Sequence, residues 1–324
     1  MFTELSNAVI LLQILAIAVH SAAAMRIVTY NLRFDSQPDN ITVQESLNSL
    51  LDPLQQPAFL TLTKEDYHSE WGFQEALVRQ VNDLAELFGP EWSWIGVGRD
   101  DGVAAGEFSP IFFKNDVKLI SKDFFWLSNT PFEPSKFPGA GSIRICTAAF
   151  FSTSVGGTQK NFTLLNTHLD DQSDAQRRLG ASMLLVRARF EAVRTGTPVF
   201  ITGDFNSPST GPDSGAYNII TGAAPPVAIN ATFADKYAVK PDQLPDFKML
   251  DLRGQAPRRN VSANFATFTG FSAPNDTSSW ARIDFMFGGN NKGWTAEGQK
   301  AATSLSDDGV LASDHRPVFT DVSI

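Results

Sequence analysis

Short apolar runs, each bounded by turn-forming residues, recur along this 324-residue chain and constrain its fold more than any other feature. Each run has the length and the β-branched or aromatic content of a buried strand. With 43% hydrophobic residues and 26 phenylalanines, the chain can bury such strands in a sizeable core. We therefore predict strands at residues 26–32, 111–113, 143–151, 162–168, 199–204, 282–287 and 318–322.

Helical periodicity occurs in two segments, residues 74–88 and 173–193. In the first segment Ala76, Leu77, Val81 and Leu84 share one face of a helix. Strands that alternate with amphipathic helices indicate an α/β fold. Proline and glycine cluster at residues 207–222 and 225–257, which we predict to be loops. No linker divides the chain, so residues 25–324 are expected to form one domain.

An apolar run at residues 7–19 is followed by small residues up to Ala24. The run is too short to span a membrane, which takes about 20 residues, and has the length of a signal-peptide core. We predict a signal peptide at residues 1–24, a secreted extracellular chain and no integral membrane segment after leader removal. The leader lacks the usual Lys or Arg, so a retained anchor is the alternative. Five N-glycosylation sequons agree with secretion, and they begin at Asn40, Asn161, Asn230, Asn260 and Asn275.

The charge balance is acidic, with 35 Asp and Glu against 26 Lys and Arg and a formal net charge of −9. This charge argues against nucleic-acid binding through a large basic patch. It does not exclude a nuclease, because a carboxylate site can bring its own metal cations to a phosphate. The single cysteine, Cys146, excludes an intramolecular disulfide framework and a cysteine-based zinc site.

Polar residues stand at the ends of the predicted apolar strands. Asp204 and Asn206 follow a buried strand at positions i and i+2, a spacing that lets both face the same side. Taken singly, such residues have ordinary structural explanations as turn residues, helix first-turn acids or buried histidines. Comparable positions next to other strands or helices are occupied by Asn31, Glu75, His168, Asp314 and His315.

The motifs TYN, QE, NTH, GDFN, RIDF and SDHRPV occur in this order along the chain. In that order they make the chain resemble the endonuclease/exonuclease/phosphatase superfamily of metal-dependent phosphoesterases, over residues 25–324. The resemblance implies a four-layered α/β sandwich in which two stacked mixed β-sheets are flanked by helices. It also implies a site at one end of the sandwich. We expect a monomer.

The resemblance implies a metal site and a base. Glu75 would be the principal ligand of Mg²⁺ or Mn²⁺, and oxygen ligands suit both ions. Asn31 would help to hold the metal or the phosphate, and Asp314 would assist at the metal site or beside His315. Asp204 would activate the attacking water, and Asn206 would bind the phosphate.

The same resemblance assigns the remaining site residues. His168 and His315 would flank the scissile phosphorus as hydrogen-bond donors or proton-transfer groups. Glu107 would orient His168 and raise its pKa, with a solvated loop acid as the alternative. Asp284 would pair with His315 and fix its tautomer. Arg144 resembles a phosphate-contacting arginine, although an arginine at a strand start is ordinary.

One stretch departs from the superfamily pattern. Between the first strand and Glu75, members carry an amphipathic helix and then a buried strand. Residues 47–62 contain Pro53 and Pro57, and residues 64–70 are polar, so we predict neither a full helix nor a full strand there. Either the core is truncated at this point or a segment is missing.

The function implied is a secreted divalent-metal-dependent phosphoesterase, a nuclease or a small-ester phosphatase, with nucleic acid among the candidate substrates. One alternative is a catalytically impaired extracellular binding protein that keeps the fold. Another is a Ca²⁺-dependent carbohydrate- or surface-binding protein, against which the two strand-end histidines argue, because Ca²⁺ takes oxygen ligands.

Overall fold

A computed structural model describes residues 24–34, 68–272, 275–303 and 311–324. Residues 1–23 of the predicted leader, the sequon at Asn40 and the segment 47–62 lie outside the described residues. Among the described residues, no helix has the length and apolar character needed to cross a membrane.

Within the described ranges, twelve strands form two six-stranded sheets. In chain order the strands are β1 Ala24–Asn31, β2 His68–Gln74, β3 Trp92–Ile95, β4 Ile111–Lys114, β5 Lys118–Trp126, β6 Ile145–Val155, β7 Thr158–His168, β8 Val199–Asp204, β9 Met249–Asp251, β10 Asp284–Gly289, β11 Thr295–Ala301 and β12 Val318–Ser323. The helices are α1 Val78–Phe88, α2 Asp174–Thr195, α3 Gly215–Ile220, α4 Ala231–Lys236 and α5 Leu252–Gln255, and a 3₁₀ turn spans Arg258–Asn260.

The two sheets are mixed. The first has the order β11-β12-β1-β2-β4-β3 and the second the order β5-β6-β7-β8-β10-β9. The pairs β1·β2 and β7·β8 are parallel, and the other pairs are antiparallel. Parallel neighbours bring the carboxyl ends of their strands to one edge, and this edge carries the predicted polar residues.

Three apolar cores hold the layers together. One lies between the sheets and includes Ile27, Phe162 and Met286. A second joins α2 to the outer face of the second sheet, and a third joins α1 to the outer face of the first sheet. The predicted α/β sandwich of two stacked sheets flanked by helices is therefore confirmed.

The first helix is shorter than predicted. It begins at Val78 rather than at residue 74, because Gln74 is the last residue of β2 and Glu75 has a left-handed φ of 61°. The second helix matches its predicted range closely. Ser173 caps its first turn by accepting a hydrogen bond from Gln176 N, and Gly196 ends it in the left-handed conformation.

The segment before Glu75 contains a strand, which corrects the prediction. His68–Gln74 forms β2, pairing in parallel with β1 and antiparallel with β4. The polar composition of this segment hid the strand. Residues 207–257 were predicted to be loops, but they also contain α3, α4, β9 and α5. These elements are three to six residues long, too short for a periodic pattern to reveal them.

Polar side chains bridge the two sheets close to the strand ends. Gln74 Nε2 donates to Asn166 Oδ1 at 2.7 Å, and Asn166 Nδ2 donates to Phe73 O at 2.8 Å. The sheets come close enough here that a Cβ on Gly72 would lie 2.5 Å from Asn166 Oδ1. These buried bonds hold β2 against β7, and so fix Glu75 relative to His168.

Candidate active site

All the predicted site residues come together at one edge of the sandwich, at an open cleft of ≈ 360 Å³. The ends of β1, β2, β7 and β8 meet there with the starts of β10 and β12. The cleft is lined by Glu75, Glu107, Arg144, His168, Asp204, Asn206, Asp314 and His315, and Asn31 and Asp284 are bonded to lining residues.

Asn31 links the two carboxylates at the centre. Its Nδ2 donates to Glu75 Oε1 at 2.8 Å and to Asp204 Oδ2 at 3.0 Å. Its own oxygen accepts a bond from Arg33 N, and Phe34 N donates to Glu75 Oε2 at 3.0 Å. Asn31 thus positions the two carboxylates, and its part in holding a metal stays a prediction.

The backbone of the cleft is strained. Arg33, Glu75 and Asn206 have left-handed φ angles of 63°, 61° and 45°. Such conformations in non-glycine residues each cost of the order of 1 kcal/mol or more, and they cluster at functional sites. Gly203 has a φ of 151°, and a Cβ there would lie 2.1 Å from Thr167 O, so only glycine fits beside β7. The close approach of β8 to β7 at Gly203 therefore places Asp204 beside the end of β7.

His315 lies between two acids. Its Nδ1 is 2.8 Å from Asp284 Oδ2, and its Nε2 is 3.5 Å from Asp204 Oδ2. Burial alone would lower the pKa of His315, but the carboxylates of Asp284 and Asp204 outweigh it and raise the pKa to about 10. Burial, followed by repulsion from Asp284, raises the pKa of Asp204 to about 7. At neutral pH His315 is therefore a cation, and the carboxyl group of Asp204 beside it can gain or lose a proton near that pH.

The pKa of His168 is shifted in the opposite direction. Asn206 Nδ2 lies 3.0 Å from its Nε2, an arrangement in which the amide donates and Nε2 accepts. Burial, together with repulsion from Arg144 and Arg99, lowers the pKa of His168 well below its usual range. The prediction that Glu107 raises this pKa is wrong. Glu107 lies 3.9 Å from His168 Nδ1, but its charge is taken up by Arg99.

Arg144 is buried and fixed at the rim of the cleft. Its Nη2 donates to Asp171 Oδ1 at 2.8 Å, and its Nε donates to Asp170 Oδ2 at 3.4 Å. Its Nη1 is buried and has no hydrogen-bond partner among the described residues. A guanidinium with one free donor beside His168 agrees with the predicted phosphate contact.

Three functional positions were missed in the sequence. Arg33 lines the cleft, and its Nη1 lies 3.6 Å from Asp314 Oδ2. Ser313 Oγ donates to Asn31 O and accepts from His315 N, so it ties two motifs together. Thr267 Oγ1 accepts from Asp284 N at 3.0 Å. A role for Arg33 could have been predicted because it follows Asn31 by two residues. No motif in the sequence indicates a role for Thr267.

Comparison with known proteins adds the fold family. No protein-family model and no curated protein matches the chain. An endonuclease/exonuclease/phosphatase from Bacteroides vulgatus is 29% identical over 93% of this chain and 99% of its own, with a TM-score of 0.70. The mannosyl-6-phosphatase of Bacteroides thetaiotaomicron is 25% identical over 93% and 100%, with a TM-score of 0.66. A humanised D. rerio TDP2, 14% identical over 93% and 99% with a TM-score of 0.55, shows the fold alone.

These matches confirm the superfamily resemblance inferred from the motifs. The two-sheet sandwich is the endonuclease/exonuclease/phosphatase fold.

Proposed function

From this fold and its site, we propose that the chain is a divalent-metal-dependent phosphoesterase. One observation carries the proposal, the convergence of the predicted acids, amides and histidines in a single cleft. The alternative of a catalytically impaired binding protein with the same fold is not favoured, since every predicted catalytic side chain lies in the cleft or is bonded to a residue that lines it.

The protonation states of the site suit phosphate ester hydrolysis. Asp204, with a pKa of about 7, can take a proton from water near neutral pH. His315, charged at that pH, places a positive charge where negative charge develops on the phosphoryl group. Arg144 offers its Nη1, which has no partner among the described residues, to the phosphoryl oxygens. Both amide protons of Asn206, in contrast, are taken by His168 Nε2 and Leu169 O.

The donor set fits a divalent cation. Glu75, His168 and Asp204 each place one ligand atom within 4.8 Å of the others, and Asp314 lines the same cleft. The carboxylate oxygens of Glu75 and Asp314 favour Mg²⁺ or Mn²⁺, which prefer oxygen ligands, and Asp204 keeps the role of the base. When bound, the ion would neutralise phosphoryl oxygens and lower the barrier to attack.

Chelation with EDTA is expected to reduce phosphoesterase activity to background, and Mg²⁺ or Mn²⁺ to restore it. Glu75→Gln is expected to lose Mn²⁺ binding measured by calorimetry, because it removes a central anionic ligand. The exposed acid Glu133 provides the matched control, Glu133→Gln, which should bind Mn²⁺ as the unmodified protein does. Undiminished activity after exhaustive chelation would contradict the metal requirement.

Of the two substrate classes predicted, we propose small phosphate esters ahead of nucleic acids. The net charge of −9 disfavours a long polyanion, and the mannosyl-6-phosphatase shares more sequence with this chain than TDP2 does. The test is a parallel assay on sugar phosphates, DNA, RNA and sphingomyelin, with Asp204→Asn as the blank. Hydrolysis of sugar phosphates that requires Asp204 is the expected result. No Asp204-dependent hydrolysis of any of the four would refute the proposed function.

We also propose that the leader is removed after Ala24 and that the chain is secreted. The apolar run at residues 7–19 and the small residues after it support this proposal. Cleavage there would leave β1 intact from Met25 onward. Mass spectrometry of the secreted protein should find Met25 at the N-terminus, and retention of residues 1–24 would contradict the proposal.

A further inference from the structure

A second pocket lies outside the catalytic cleft, at the β9 edge of the second sheet. It is formed by the end of β9, by α5, by the 3₁₀ turn Arg258–Asn260 and by Arg282, and its volume is ≈ 400 Å³. Its charged lining residues are Asp251, Arg253, Arg258 and Arg282. The pocket therefore has three guanidinium groups and one carboxylate.

Asp251 neutralises only one of these arginines. Both of its oxygens accept from Arg282, at 2.6 Å and 2.7 Å, and the guanidinium of Arg282 also lies 4.4 Å from the ring centroid of Phe285. Asp251 further accepts from the backbone of Arg253 and from Tyr217 Oη. The carboxylate is fully engaged, and Arg282, which is 7% exposed, is fixed in place.

Arg253 and Arg258 keep their charges unpaired. In the part of the chain that the structure describes, neither forms a salt bridge with an acid. The side chain of Arg253 donates only to Ser262 O, at 3.2 Å, and its guanidinium lies 5.7 Å from the ring centroid of Phe265. Burial and repulsion from Arg282 lower the pKa of Arg253, as expected where cations crowd together. This concentration of positive charge, in a protein of net charge −9, attracts an anion.

We propose that this pocket binds a phosphate-type dianion, either free phosphate or a phosphate group of an ester. The guanidinium groups of Arg253 and Arg258 present paired N–H donors that match phosphate oxygens. The Nη atoms of Arg282, in contrast, are taken by Asp251. Gly254 lines the pocket, and a Cβ built on it meets nothing within 4 Å, so the space beside the arginines is open. The proposal depends on these charges and not on the proposed activity.

Calorimetric titration with inorganic phosphate in EDTA tests the site directly. The double variant Arg253→Gln/Arg258→Gln should bind phosphate at least about tenfold more weakly than the unmodified protein. The matched control Lys118→Gln/Lys136→Gln removes the same charge from exposed positions elsewhere and should bind normally. Equal affinity in the two double variants would overturn the proposal.

A second variant tests the pocket without removing any arginine, so that a loss of binding cannot be ascribed to misfolding. Gly254→Glu leaves every arginine in place and introduces a carboxylate into open space, so it should abolish phosphate binding at this pocket without lowering the melting temperature. Arg144→Gln changes the catalytic cleft instead and should leave binding at the pocket intact. If binding is lost in Arg144→Gln but kept in Gly254→Glu, the phosphate binds in the cleft and the pocket proposal is refuted.

The source of the phosphate is distinguished by kinetics. If the ligand is part of the substrate, Gly254→Glu should raise KM for a sugar bisphosphate and leave KM for the monophosphate unchanged. If both KM values are unchanged while calorimetric binding is lost, the ligand is free phosphate. Absence of any hydrolysis would refute the proposed function, but it would not change what calorimetry shows about phosphate binding at the pocket.

Discussion

Replacing His315 by alanine is expected to lower kcat by about 10²- to 10⁴-fold, with little change in KM. The imidazole is held at 2.8 Å by Asp284 and is charged at neutral pH, so it acts on charge that develops in the transition state. The measurement is kcat and KM of the purified variant, corrected for its folded fraction.

The same substitution should also affect stability. His315 is 3% exposed and separates the carboxylates of Asp204 and Asp284. Removing the cation leaves two buried acids facing each other, so the melting temperature should fall as well. Asp284→Asn should lower kcat through loss of imidazole orientation, which makes Asp284 a positioning residue.

A neighbouring variant provides the control for His315. Arg316 is next in sequence, but its guanidinium lies over the ring of Trp280, 4.6 Å from the centroid. Arg316→Gln therefore changes a cation adjacent in sequence without touching Asp284, and its kcat should stay close to that of the unmodified protein. A normal kcat per folded molecule in His315→Ala would remove His315 from the catalytic machinery.

The site was predictable because its residues stand at the ends of recognisable strands. Asp204 and His168 close two buried apolar runs that pair in parallel, so their meeting follows from the strand pattern once the sheet order is known. The strand pattern does not predict which strands pair, nor which side chains this pairing brings together. The lowered pKa of His168 arises first from burial and then from repulsion by Arg144 and Arg99, and the strand pattern does not place these arginines beside His168.

Five of the described strands escaped prediction, β2, β3, β5, β9 and β11, and two of them have sequences that do not look buried. β11, Thr295–Ala301, alternates exposed and buried positions with small and polar residues, so it lacks an apolar run. β2 begins with His68, Ser69 and Glu70, which resemble a surface segment. Their strand structure is imposed by pairing with β12 and with β1, that is, by tertiary context rather than by local propensity.

Glu70 lies in β2, a strand that the sequence did not predict, and its substitution gives the largest expected change in stability. Its side chain is fully buried, on the sheet face it shares with Ile27 and Phe113 of the inter-sheet core. Neither carboxyl oxygen has a hydrogen-bond partner among the described residues. Glu70→Met replaces an unsatisfied acid by an apolar side chain of similar length, and should stabilise the fold by about 1 to 3 kcal/mol at neutral pH.

The gain should depend on pH. Burial, followed by repulsion from Asp116, raises the pKa of Glu70 well above its ordinary value of 4.5. The stabilising contribution of proton binding is therefore complete below the unfolded-state pKa and is lost as the pH rises through the folded-state pKa. The difference in unfolding free energy between Glu70→Met and the unmodified protein should be smallest near the unfolded-state pKa and should grow toward neutral pH.

Urea unfolding in EDTA, repeated between about pH 4.5 and about pH 8, measures this difference without a contribution from bound metal. Glu297, an exposed acid in β11, supplies the control: Glu297→Met removes the same charge from a solvated position. Its effect should stay within about 0.5 kcal/mol. A Glu70→Met variant that is no more stable than the unmodified protein at neutral pH would mean that the carboxyl group has a partner or reaches water. The buried position of Glu70 in β2 would then be wrong.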